Sequence, residues 1–130
     1  MEQINKLIDF IKANYTDYEV HNRDRKDFIE GDIYKGIGVK IPSLDFSAIW
    51  LKGSYGYEEN LIEIMCPIHF SYDESVKGYL TADECIYILK NYEKLKNISQ
   101  ERDNMIEKTT TAINNYYNNE MEELLKGETK

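Results

Sequence analysis

GIGVKIPSLDFSAIWLKGSYGYEENLIEIMCPIHF, residues 36–70, is the stretch around which the rest of the chain organises itself. It holds the only tryptophan, Trp50, and both prolines, Pro42 and Pro67. Ile37, Val39 and Ile41 alternate with Gly38 and Lys40, the period of a half-buried strand. Pro42 ends that strand because it has no N–H to give to a ladder, and Pro42-Ser43-Leu44-Asp45 reads as a turn. Phe46 to Leu51 is mostly apolar on both faces, which marks a central strand covered on both sides. Lys52 to Asn60 carries Gly53 and Gly56 and reads as a long hairpin loop; Leu61 to Phe70 is the return strand, with Pro67 at an edge or bulge. Gly36-Ile37-Gly38 lacks the third glycine and the following helix of a dinucleotide loop, so it is read as part of the strand.

Outward from this centre, Ile4, Leu7, Ile8, Ile11 and Tyr15 recur at helical spacing and predict an amphipathic helix near the N-terminus. Tyr18–His21 reads as a first short strand, and Phe28–Tyr34 as a further strand of the same sheet, kinked at Gly31. On the C-terminal side, Thr81 and Glu84 form a capping-box pattern ahead of the apolar stripe Cys85, Ile88, Leu89, Tyr92 and Leu95. A last helix begins near Asn97, capped by Asn97 or Ser99, and carries two adjacent stripes up to Leu124, with Gly127 as its stop. Its weakest stretch is Asn114–Asn119, where it is expected to break if it breaks at all. The expected organisation is a single α+β domain over 1–130: helix 1–16, an antiparallel meander of about four strands over 17–70, connector 71–80, helix 81–96 and long helix 97–127. A helix of that length is at least as long as the body of the domain, so it must overhang, bend or pair. The expectation is a homodimer with Met105, Ile106, Ile113, Tyr116, Tyr117 and Met121 at the interface.

Composition narrows the function. With 42% hydrophobic and 31% charged residues the chain belongs with soluble globular proteins. No apolar run approaches the ~18 residues of a membrane span, and no signal peptide precedes the first helix, so the expected location is the cytoplasm. Cys66 and Cys85 are far apart and are expected as reduced thiols, Cys85 as a buried structural residue and not a nucleophile. The net charge of −8 argues against direct nucleic-acid binding. It fits an acidic surface that fills a basic groove on a protein, a nucleic-acid-binding protein included. The acids are nonetheless evenly spread: residues 1–60 carry 11 acidic and 8 basic groups, and residues 61–130 carry 13 and 8.

No catalytic, metal or cofactor signature stands out. The 24 acids single out no carboxylate pair, and no calcium loop or Cys/His metal spacing is present. The expected function is therefore that of a small acidic non-enzymatic interaction protein that binds and inhibits or regulates a macromolecular partner. Counter-defence proteins of phages and mobile elements are one class of this build. Tyr55 and Tyr57, beside Glu58 and Glu59 in the glycine-containing loop, with Asp73 and Glu74, are the candidate partner-binding residues, since loop tyrosines offer contact area at low entropy cost. The alternative is an oligomer that sequesters a small anionic or nucleotide-like ligand at a subunit interface through Arg23, Arg25 and Lys26, the only basic cluster.

Overall fold

The alternation read at Ile37–Ile41 and Phe46–Trp50 becomes the centre of a five-stranded antiparallel sheet. The computed structural model describes residues 1–128. In chain order these form α1 (Glu2–Asn14), β1 (Glu19–Asn22), β2 (Arg25–Lys26), β3 (Ile33–Tyr34), β4 (Ile37–Ile41), β5 (Phe46–Trp50), β6 (Ile62–Met65), β7 (Val76–Leu80), α2 (Ala82–Lys90) and α3 (Tyr92–Glu128). The main sheet runs β1-β4-β5-β6-β7, while β2 and β3 pair only with each other. The result is α+β, with an N-terminal helix, an antiparallel sheet and two C-terminal helices of which the last is long.

One face of the sheet is the core. Val39 lies opposite Ala48 and Ala48 opposite Ile64, while Ile41 pairs with Phe46 and Ile62 with Leu80. Onto this face α1 lays Ile4, Leu7, Ile8 and Ile11, and α2 lays Ala82, Cys85, Ile88 and Leu89, all buried. The two helices are tied where α2 begins: Gln3 Oε1 accepts from the Ala82 N–H at 2.7 Å. The capping box forms as its spacing predicts, with the Glu84 N–H donating to Thr81 Oγ1 and the Thr81 N–H to Glu84 Oε1. The other face carries Glu19, Lys40, Ser47 and Met65 in one register row and His21, Gly38, Ile49 and Glu63 in the next. No helix crosses it, so the cover expected there on the strength of Ile49 and Leu51 is absent among the described residues.

Four boundaries differ from the sequence reading. The connector 71–80 contains β7, whose register against β6 slips: Val76 lies opposite Met65 and Lys77 opposite Ile64, while Leu80 lies opposite Ile62. The slip breaks the alternation, and Gly78, within it, is glycine because a Cβ there would sit 2.2 Å from the Tyr55 Cβ. The return strand stops at Met65, since Pro67 has no N–H; the pairing continues irregularly through Cys66 N–H to Ser75 O and Phe70 N–H to Glu74 O. Phe28–Tyr34 does not rejoin the sheet. The chain is pinched at Arg23 and Gly36, whose N–H and C=O bond at 2.9 Å, and beyond the pinch it forms a separate hairpin. Finally, α2 ends at Asn91, whose N–H reaches both Tyr87 O and Ile88 O, and α3 starts at once. Ser99 is thus inside α3 and donates to Lys96 O; it is not a cap.

The 37 residues of α3 extend about 56 Å at ~1.5 Å per residue. The helix passes through Asn114–Asn119 without a break. Tyr92, Ser99 and Asp103 are buried, whereas every residue from Asn104 to Gly127 is exposed. The helix therefore lies on the body for about three turns and overhangs it for nearly seven.

Candidate interaction surfaces

Residues 23–36 project from the sheet as a finger. At its base the Asp24 carboxylate accepts the Gly36 N–H at 2.8 Å, and this bond holds the carboxyl below the usual carboxylate range. Gly36 is required at this spot, since a Cβ would lie 2.5 Å from the Arg23 carbonyl oxygen. At the tip, Asp27 Oδ1 accepts from the Ile29 and Glu30 N–H groups, the Gly31 N–H donates to Asp27 O, and Gly31 takes the left-handed φ of +77° that closes the turn. This geometry leaves Phe28 97% exposed and Ile29 96% exposed. Two large apolar side chains almost wholly in water, on a turn that is hydrogen-bonded into shape, form the least expected surface of the molecule. The sequence reading placed both in a strand of the sheet. The signal that could have found them is Asp27-x-x-x-Gly31, an apolar pair enclosed by turn residues and with Asp32 following.

The basic cluster does not form a cradle. Arg25 donates to the Lys52 carbonyl at 3.2 Å. Arg23 lies on the outer sheet face, with Nε 3.7 Å from where a Gly38 Cβ would be. Lys26 is exposed on the finger.

The residues expected to bind a partner fall into two groups. Tyr55 is 59% exposed, and its ring stacks beside Tyr79 at 6.4 Å. Tyr57 instead closes the end of the sheet: its ring centroid is 4.4 Å from that of Trp50, its carbonyl accepts from Trp50 Nε1 at 3.0 Å, and its hydroxyl donates to Lys35 O at 2.7 Å. Burial pushes its phenol pKa up. Glu58 pairs with Lys52 at 3.3 Å, and Glu59 is exposed. Asp73 and Glu74 sit in the turn between β6 and β7, at the opposite end of that hairpin from Tyr55, so the six do not share one surface.

A second arrangement that the sequence reading missed ties α3 to the body. All the polar groups of His69 that are used go to α3: its N–H donates to Ser99 Oγ at 3.1 Å, its carbonyl accepts from Arg102 at 2.6 Å, and Nδ1 bonds Asp103 Oδ2. Arg102 also bonds the other oxygen of Asp103 at 3.0 Å. The His69 bond, ahead of Arg102, holds the Asp103 carboxyl below its usual range. Spacing could not reveal this clasp, because 34 residues separate its members. It fixes the direction in which α3 leaves the body. Beside it a concavity of about 710 Å³ opens on the outer sheet face, lined by Glu19, Lys40, Asp45, Ser47, Met65 and His69. Among the described residues no three His, Cys, Asp or Glu side chains gather as a metal site.

Cys85 is fully buried, and burial pushes its thiol up to about 12, the opposite of an activated nucleophile. Of the residues expected at an oligomer interface, Met105 is 69% exposed, Ile113 61% and Tyr116 70%; Ile106, Tyr117 and Met121 are exposed too. No helix is long and apolar enough to cross a membrane among the described residues. Set against protein-family models, curated proteins and solved structures, the chain matches none.

Proposed function

We propose that the chain is a small acidic interaction protein, without enzymatic activity of its own, that binds and inhibits or regulates a protein partner through the finger. The observation that carries this reading is the near-complete exposure of Phe28 and Ile29 on a hydrogen-bonded turn. Hydrophobic side chains held in water by a preformed turn have little ordering entropy left to lose on binding. Fully burying both contributes about 3–6 kcal/mol, or roughly 10²–10⁴ in affinity. Asp27, Glu30 and Asp32 lie beside the pair at the turn, so the complementary site is an apolar pocket with basic groups at its rim.

The test is photo-crosslinking from a benzophenone amino acid at position 28, with the same group at the exposed Tyr87 as control, in a lysate of the source organism. Capture of one protein from position 28 only, weakened by salt and abolished by Ile29→Asp, supports the reading. Indiscriminate labelling from both positions, or capture unaffected by Ile29→Asp, overturns it.

A further inference from the structure

The face that α3 buries on the body does not stop where the body stops. Tyr92, Leu95, Ser99 and Asp103 define that face: the first two pack on the core and the other two bond His69. Beyond the body, Ile106, Thr110, Ile113, Tyr117, Met121 and Leu124 continue it, all within about 40° of the line through Ser99 at ~100° per residue. The steps from Ile106 to Leu124 are 4, 3, 4, 4 and 3 residues, so 18 residues in five steps, a mean of 3.6. That is the period of a straight helix, so the stripe neither spirals nor fades. Ile113 is 61% exposed, Tyr117 63% and Leu124 60%.

We propose that this stripe is covered by the same stripe of a second copy, running antiparallel. The stripe itself sets the register. It begins at Ile106, just past the face that the body occupies, and ends at Leu124, so laying it antiparallel on its own copy centres the overlap on Asn115. Pairing about Asn115 places Ile106 against Leu124 and Ile113 against Tyr117 of the second copy, apolar on apolar, with Met121 beside Thr109. It also sets Glu120, at the edge of the stripe, beside the Thr110 hydroxyl of the second copy, a donor for its carboxylate. A parallel pair would instead put Glu120 against Glu120 and bring two bodies, each with a share of the −8 charge, side by side. The antiparallel pair separates the two Glu120 carboxylates by about 15 Å along the helix and sends the bodies to opposite ends. It is also closed and two-fold, so it stops at two copies.

Light scattering and cysteine crosslinking test this on the full chain. The mass expected is twice 15.3 kDa, halved by Ile113→Asp or by Tyr117→Asp; both side chains are in water in one copy, so the body keeps its melting temperature. A monomeric mass for the unaltered chain at tens of micromolar overturns the proposal. Under oxidation, a mixture of Ile106→Cys and Leu124→Cys chains gives a covalent dimer of one chain of each kind. Ile106→Cys alone gives none, since the two positions stand about 27 Å apart along the pair and a disulfide needs Cα atoms within ~7 Å. A covalent dimer from Ile106→Cys alone establishes parallel pairing and overturns the register. The native Cys66 and Cys85 are buried and do not confuse the readout.

Discussion

Phe28 and Phe46 offer the same chemistry at the two extremes of environment, and truncating each in turn separates contact from stability. Phe46 is 1% exposed at the centre of the core, whereas Phe28 is 97% exposed at the finger tip. Phe46→Ala removes a ring around which β4, β5 and the helices close, and such truncations cost about 3–5 kcal/mol. At roughly 3–5 °C per kcal/mol for a domain of this size, the melting temperature should fall by at least ~10 °C. Phe28→Ala loses no folded-state packing and should stay within about 0.5 kcal/mol of the parent, a shift below ~3 °C. Thermal and urea denaturation followed by circular dichroism measures both, and the urea slope should be unchanged in Phe28→Ala, because no buried surface is involved. Binding should rank them in the opposite order: the Phe28→Ala chain is folded yet loses about 1.5–3 kcal/mol of affinity for a protein that takes the tip. If Phe28→Ala lowers the melting temperature as far as Phe46→Ala does, the tip is packed against something in the isolated protein, and its assignment as a free contact surface fails.

The clasp between His69 and α3 predicts an acid-sensitive junction. The Asp103 carboxyl titrates lower in the folded chain than in the unfolded one, so its stabilisation is present above about pH 4 and is lost as pH falls through the lower folded value. Asp103→Asn should therefore be less stable than the parent at pH 7, with the gap closing toward pH 2 in urea titrations; a gap that is constant with pH would show that the carboxylate charge plays no part. Cys85, pushed up to about 12 and fully buried, should not react with a disulfide reagent at pH 8 until the chain unfolds, and fast labelling of the native protein would contradict its place in the core. Gly36→Ala should destabilise by about 1–3 kcal/mol, because the new methyl meets the Arg23 carbonyl at the base of the finger; an unchanged melting temperature would mean that the pinch is loose.

How much of this was legible in the sequence depends on how far apart the interacting groups lie. The α1 stripe, the β4–β5 alternation and the Thr81–Glu84 box are set by neighbours within one or two turns, and their periods appear directly in the residue order. β7 was hidden because its register slips by one residue between the Ile64–Lys77 and Ile62–Leu80 pairs, which breaks the period of two, and because Gly78 within the slip is glycine on account of Tyr55, 23 residues earlier. The helix boundary at Asn91 was hidden because the apolar stripe of α2 runs on through Tyr92 and Leu95 into α3, and periodicity cannot see a bend that preserves the phase. The finger was misread as a sheet strand because Phe28, Ile29, Ile33 and Tyr34 have strand composition. What excludes them from the sheet is the Asp24 carboxylate taking the Gly36 N–H, a contact across 12 residues that no local pattern announces. Propensity names the residues that can be strand; only the pairing decides whether they are core or surface.

The same division explains why the two projections can carry apolar side chains without endangering the fold. Each is fastened by polar bonds at its root and leaves its tip out of the core. Asp24, Arg23 and Gly36 hold the finger, while Ser99, Arg102 and Asp103 hold α3 through His69. A root of this kind fixes direction at the cost of a few hydrogen bonds, each contributing about 0.5–1.5 kcal/mol, and leaves the hydrophobic driving force of the tip unused until something covers it. On the proposed reading, substitutions at Phe28, Ile29 or Ile113 should act on association, whereas those at Gly36, His69 or Asp103 should act on where the projections point. A variant of the second kind should keep its association surface chemically intact yet present it at the wrong angle. Asp103→Asn is the sharpest case: the stripe from Ile106 onward is unaltered, so any change in its assembly at pH 7 must come through the direction of the helix and not through its surface.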